Sequence, residues 1–145
     1  RLVAAGTPAT PVAELEAAAG AADIITCATL AREPLIRGAW LRPGTHVDLV
    51  GGFTPEMREA DDAAVVRARV YVDTDAALHE AGDIVQPLRS GHLARERIVG
   101  DLFGLARGTC PGRRDPADVT LFKSVGTALE DLAAAQLAVS RVGAR

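Results

Sequence analysis

Four short apolar runs alternate with segments that carry helix signals, and this alternation limits the fold more than any other feature of the sequence. The runs are residues 24–28 (Ile-Ile-Thr-Cys-Ala), 46–50 (His-Val-Asp-Leu-Val), 70–73 and 119–123. Each has the length and apolar character of a strand buried in a sheet. Strands alternating with helices give an α/β fold built on a parallel sheet. Helices are expected over residues 12–22, with Thr10 as cap and Pro11 in first position, and over 61–69, with Asp61 or Asp62 capping and Val65 and Val66 inward. Further helices are expected over 76–81 behind Thr74 and Asp75, over 95–107 ending at Gly108, and over 125–142, the longest. Residues 36–41 read as a short turn or helix, 82–90 as another short apolar element, and 4–10 and 110–117 as loops.

A chain of 145 residues with 48% hydrophobic and 24% charged residues can build one domain with a real core. Its 16 basic and 19 acidic residues are interspersed and aromatics make up 3%, so it offers neither a basic face nor stacking platforms for bases. Nucleic acid is excluded as a partner on that ground. No segment has the length of a membrane span. Cys27 and Cys110 lie far apart, outside any metal-binding spacing, and Cys27 reads as a small buried hydrophobe. A reducing, cytoplasmic compartment is expected. His46, His79 and His92 are too widely separated for a metal site. His46 is expected to be structural, His79 to sit on an exposed helix face and His92 in a loop.

In an open α/β sheet, ligands lie just outside the carboxyl ends of the strands. Three such ends collect small and polar residues: 26–29, 51–54 and 123–126. Each is either a wall of a nucleotide cleft or an ordinary strand-to-helix turn. Gly51-Gly52 has no Cβ to keep another molecule from the backbone. The fingerprint GxGxxG after a first strand is absent from the chain, and the spaced glycines from Gly100 to Gly108 follow none of the four expected strands. Asp48, inside the second strand, is either bonded to backbone or poised for function. Asp83, just after Gly82, reads as a cap of the next short helix. Ser124 has no His or Asp nearby in sequence to activate it, and its hydroxyl suits cofactor binding instead.

Five collinear blocks, residues 22–29, 32–62, 68–74, 80–88 and 119–137, resemble the ornithine cyclodeaminase/mu-crystallin family. The segments GGFTPEMRE (51–59) and FKSVGTALEDLAAA (122–135) are most similar to bacterial members that are cyclodeaminases or reductases of cyclic ketimines such as Δ1-pyrroline-2-carboxylate. The resemblance implies a partial Rossmann-type parallel sheet over residues 1–124. The long helix within 125–145 would return to a substrate and dimerisation domain. It implies NAD or NADP as cofactor, a small amino or imino acid as substrate, and a homodimer for the full-length protein. Ala28 and Thr29 would border the dinucleotide. Val50, Gly51 and Gly52 would let the nicotinamide half come close, and Lys123, Ser124, Val125 and Gly126 would sit near its ring. Phe53 and Thr54 would face the substrate.

Two departures from the family pattern shape the functional expectation. Cyclodeaminases carry an Asp after the glycine pair, where this chain has Phe53, which cannot take a proton. The expected activity is therefore NAD(P)H-dependent imine or ketimine reduction. Ornithine cyclodeamination and non-catalytic binding of NADPH and a small ligand are the alternatives, and no catalytic residue is assigned. The family's GxGxxG unit and its substrate-carboxylate Arg and Lys would precede Arg1. The chain is thus expected to be the C-terminal two-fifths to half of a longer protein, inactive alone.

Overall fold

The computed structural model describes residues 5–143; the first residue of the loop expected over 4–10 lies outside them. Its centre is a five-stranded, all-parallel sheet of β1 (Ile24–Cys27), β2 (His46–Leu49), β3 (Arg69–Val72), β4 (Ile98–Asp101) and β5 (Thr120–Lys123), in the order β1-β2-β5-β3-β4. The helices are α1 (Leu15–Ala21), α2 (Asp62–Arg67), α3 (Ala77–Glu80), α4 (Gly82–Ser90), α5 (Leu102–Arg107) and α6 (Ala128–Val142). A 3-10 turn covers Gly38–Trp40, where the sequence left turn or helix open, and a second covers Arg95–Arg97.

The core lies between the sheet and the layer of α2, α3 and α4. Val47, Leu49, Val70 and Leu121 point into it from the sheet, and Ala64, Val65, Ala77 and Ile84 from the helices, all fully buried. β1 lies at one side of the sheet, which is why Ile24 is 67% exposed.

The fifth strand was not expected. The helix read over 95–107 is instead a turn, β4 and the short α5. Ile98 and Val99 are β-branched and Gly100 disfavours helix, so this stretch pairs with β3. Asp101 then caps α5, its carboxylate accepting from Gly104 N at 2.7 Å, and Gly108 closes it as expected.

Other boundaries differ for local reasons. α1 begins at Leu15 behind Glu14, so Thr10 and Pro11 do not start it; Val12 is 62% exposed and gives the first turn no packing to hold it. Val66 is exposed, because α2 turns Ala64 and Val65 to the core and its next residue away. Asp61 does cap α2, accepting from Ala64 N at 2.8 Å. The Asp75 side chain does not cap α3; it pairs outward with Arg95 at 2.7 Å and His79 at 3.4 Å, and the Thr74 and Asp75 carbonyls close the turn by accepting from Ala77 N and Leu78 N.

α6 starts three residues later than expected, at Ala128. Thr127 and Glu130 form a reciprocal capping box there, and Gly126 just before it has φ +80°, which breaks helix. No helix among the described residues is long and apolar enough to cross a membrane.

Candidate functional site

The sheet order brings the three small-residue strand ends side by side. Cys27 is level with Leu49, and Leu49 with Lys123, so the turns after β1, β2 and β5 leave the sheet at one height. Ala28, Val50 and Gly126 are exposed along that edge, and Phe53 is 49% exposed beside them. Thr29, Thr54, Ser124 and Val125 are half-buried, and Gly51 and Gly52 are buried.

The glycine pair is required by close approach. A Cβ on Gly51 would stand 2.1 Å from the Thr29 carbonyl oxygen and 2.3 Å from Glu59 Oε1. Gly52 has φ +59°, and a Cβ there would meet Asp83 Oδ2 at 2.9 Å. The chain's own atoms fill the inner side of the pair, leaving its outer side to face the edge.

Behind the edge sits a fully buried ionic cluster of Glu59, Asp83 and Lys123. Lys123 Nζ donates to the Gly51 carbonyl and lies 3.5 Å from Asp83 Oδ2 and 3.9 Å from Glu59 Oε2. Glu59 Oε1 accepts from Thr29 N at 2.7 Å and Thr29 Oγ1 at 2.8 Å. Asp83 lies in the first turn of α4, where its Oδ1 accepts from Glu59 N and Ala60 N, outside its own helix, at 2.8 and 2.9 Å. The expected capping role therefore gives way to a link between segments. Burial pushes the Asp83 carboxyl above its ordinary range, against the pull of the Ala60 amide and Lys123. Burial, followed by the fields of Glu59 and Asp83, raises the Cys27 thiol to about 11.

A second buried carboxylate holds the turn after β5. Asp73, at the end of β3, is 1% exposed. Its Oδ2 accepts from Ser124 Oγ at 3.0 Å, Val125 N at 2.7 Å and Gly126 N at 2.8 Å, and its Oδ1 from Thr74 N at 2.7 Å. The Ser124 hydroxyl is thus engaged with a carboxylate distant in sequence. A Cβ on Gly126 would have nothing within 4 Å, so its outward side is open.

The remaining candidates lie elsewhere. Asp48 is half-buried, not buried, and lies on the sheet face opposite Val47 and Leu49. His46 shares that face, with Nδ1 2.8 Å from Thr120 Oγ1; burial lowers its pKa, against Asp48 and with Arg113. His79 is exposed on α3, and exposed His92 contacts Asp62 after α4. Among the described residues no group of three or more His, Cys, Asp or Glu could hold a metal ion.

Sequence reasoning did not single out Glu59 or Asp73. Glu59 ends the nine-residue segment that begins at Gly51, and an acid so near a glycine pair was the available signal. Asp73 closes a strand and was read only as part of it.

A parallel α/β sheet with a glycine pair and a small-residue turn on adjacent strand ends defines the class. The profile of the ornithine cyclodeaminase/mu-crystallin family matches residues 2–144, and the chain belongs to that family. It is 47% identical over 122 residues to the Δ1-pyrroline-2-carboxylate reductase of Paracoccus denitrificans, covering 83% of this chain and 39% of the relative. It is 40% identical over 123 residues to the ketimine reductase mu-crystallin of Mus musculus, covering 84% and 36%. Among solved structures, it superimposes on Thermococcus litoralis Δ1-pyrroline-2-carboxylate reductase in complex with NADH and L-proline. That match has a TM-score of 0.89 and 36% identity, over 94% of this chain and 43% of the other. The chain spans about two-fifths of the length of these relatives.

Proposed function

We propose that the protein carrying this chain is an NAD(P)H-dependent reductase of imines and ketimines, with cyclic imino acids such as Δ1-pyrroline-2-carboxylate as its substrate class. Phe53 carries the reading. It follows Gly51-Gly52 at the carboxyl edge with its ring half exposed, where cyclodeamination asks for a carboxylate. An apolar ring neither takes a proton from an amine nor holds an ammonium by charge. Reduction of a C=N bond needs no base at that point, and its proton can reach nitrogen from another group. The names of the Paracoccus and Thermococcus relatives support the same substrate class, and the mouse relative is likewise named a ketimine reductase.

The edge suits a nicotinamide dinucleotide. Ala28, Val50 and Gly126 are exposed, and a Cβ on Gly126 would have nothing within 4 Å, which leaves space there for a flat ring. Residues 28–29, 50–52 and 124–126 would hold the cofactor, with Phe53 and Thr54 on the substrate side; Lys123, expected beside the ring, is wholly buried behind the edge with its Nζ on the Gly51 carbonyl. When bound, the reduced cofactor supplies a hydride. The chain's own part is to shape that surface: Asp73 fixes the turn at 124–126, the glycine pair lets Thr29, Glu59 and Asp83 pack close behind the edge, and Val50 and Phe53 give it apolar side chains.

In this reading residues 1–124 belong to the dinucleotide domain and 125–145 to the substrate and dimerisation domain of a homodimer. Support comes from α6, which has no buried residue and exposes Leu129, Leu132 and Leu137. Free Cys27 and Cys110 support a cytoplasmic setting.

The test is an assay of the full protein with Δ1-pyrroline-2-carboxylate and NADH or NADPH, beside ornithine with NAD+. Loss of reduced-nicotinamide absorbance with the imine, and no ammonia from ornithine, is expected. Ammonia release from ornithine would overturn the reading, and so would tight NADPH binding with no turnover of any cyclic imine.

A further inference from the structure

Glu59, Asp83 and Lys123 are wholly buried, and the proposed chemistry uses none of their charges. Such clusters are seldom there for stability, because apolar side chains of similar volume commonly replace them at no loss. This one is also incompletely satisfied: Glu59 Oε2 and Asp83 Oδ2 accept no hydrogen bond. What it does instead is join backbone from separate segments. Glu59 Oε1 holds the turn after β1 through two donors of Thr29. Lys123, rising from β5, holds the turn after β2 through the Gly51 carbonyl. Asp83 fixes the backbone of Glu59 itself. Lys123 closes the cluster, with its Nζ 3.5 Å from Asp83 Oδ2 and 3.9 Å from Glu59 Oε2.

We infer that the buried cluster of Glu59, Asp83 and Lys123 is a positioning device that sets the spacing between Thr29 and Gly51, the two backbone walls against which the nicotinamide half of the cofactor lies. This rests on the reading above that the edge takes a nicotinamide dinucleotide. Thr29 and Gly51 belong to turns of adjacent strands; Val50 N donates to the Cys27 carbonyl at 2.8 Å where the strands end, but beyond that point the backbone contact lengthens to 3.3 Å, from Gly52 N to the Thr29 carbonyl. The buried cluster adds a second tie through side chains, and it does so from behind, without occupying the cleft. Glu59 and Lys123 act through Thr29 and Gly51, so their side chains are positioning groups and not catalytic ones.

The test substitutes Glu59→Gln in the full protein. The amide keeps one oxygen for Thr29 and turns an NH2 group towards the Lys123 ammonium, which cuts the tie at nearly constant volume. Affinities are measured for NADH, for NADPH and for ADP-ribose, which lacks the nicotinamide ring. The expected result is a loss of at least about tenfold for the better-bound reduced dinucleotide, with ADP-ribose unchanged within about twofold. A merely structural role would weaken all three alike or none, and either result would overturn the inference. Asp83→Asn keeps an acceptor for the Glu59 and Ala60 amides while altering the charge beside Lys123. It carries the same expectation, so misfolding of the first variant leaves the test standing. Failure of the wild type to bind either reduced dinucleotide would overturn the reading underneath.

Discussion

Asp73→Asn should loosen the turn at residues 124–126 while leaving the sheet in place. Asp73 is 1% exposed and its Oδ2 is the shared acceptor of Ser124 Oγ, Val125 N and Gly126 N. Hydrogen bonds to an ionised acceptor contribute about 1.5–3 kcal/mol, against about 1 for neutral pairs. An asparagine can turn its oxygen towards those three donors, and then Thr74 N faces an NH2 group. It can also turn the other way, and then all three donors lose their acceptor. In the milder case each of the three bonds in the turn weakens by about 0.7–1 kcal/mol, a loss of about 2–3 kcal/mol for its local opening, while the Thr74 donor lies outside it. At about 1.4 kcal/mol per factor of ten, the Val125 and Gly126 amides should exchange with solvent roughly thirtyfold to a hundredfold faster. Hydrogen exchange read by mass spectrometry on the full protein measures this, with the amides of β5 as internal control. Exchange at 125–126 unchanged within about threefold would show that Asp73 does not hold the turn.

Three further outcomes follow from the same geometry. Cys27, with its thiol raised to about 11 by burial and then by Glu59 and Asp83, should resist alkylation in the folded protein at mildly alkaline pH and react once denatured; prompt native labelling would contradict its placement. His46 is held below its ordinary value of 6.5, first by burial, so between the two values the unfolded chain binds more protons. Its contribution is therefore present above the unfolded value and is lost as pH falls through the folded one, and its imidazole NMR signal should titrate below 6.5, not at or above it. Gly51→Ala drives a methyl to 2.1 Å from the Thr29 carbonyl oxygen and should cost about 1–3 kcal/mol or more, seen as a clear fall in Tm; an unchanged Tm would refute the close packing of the two turns.

The parallel sheet was legible because β1, β2, β3 and β5 are apolar runs bounded by polar turns, with helical segments between them. β4 was not, since its four residues, Ile98–Asp101, sit between Arg95–Arg97 and α5 in a stretch whose overall composition reads as helix. Only pairing with β3, a contact between residues about thirty apart, decides its conformation. The candidate edge was legible for the same reason as the sheet: strand ends are marked by Gly51-Gly52 and by Ser124–Gly126. Its supporting interior was hidden. Glu59 and Asp83 are charged residues in segments that read as loop and helix start, and nothing local tells that both turn inward to Lys123. The start of α1 was misplaced because Thr10-Pro11 is a sound local signal that no packing supports, whereas Asp61 before α2 is the same kind of signal with a buried helix face behind it.

A crystal structure of the full protein with NADH or NADPH bound would test the account most directly. The account predicts the nicotinamide half of the cofactor against Gly51-Gly52 and the turn at 124–126, with Phe53 facing the space left for the imine. Cofactor density elsewhere on the molecule, with those two turns in contact with solvent, would contradict it.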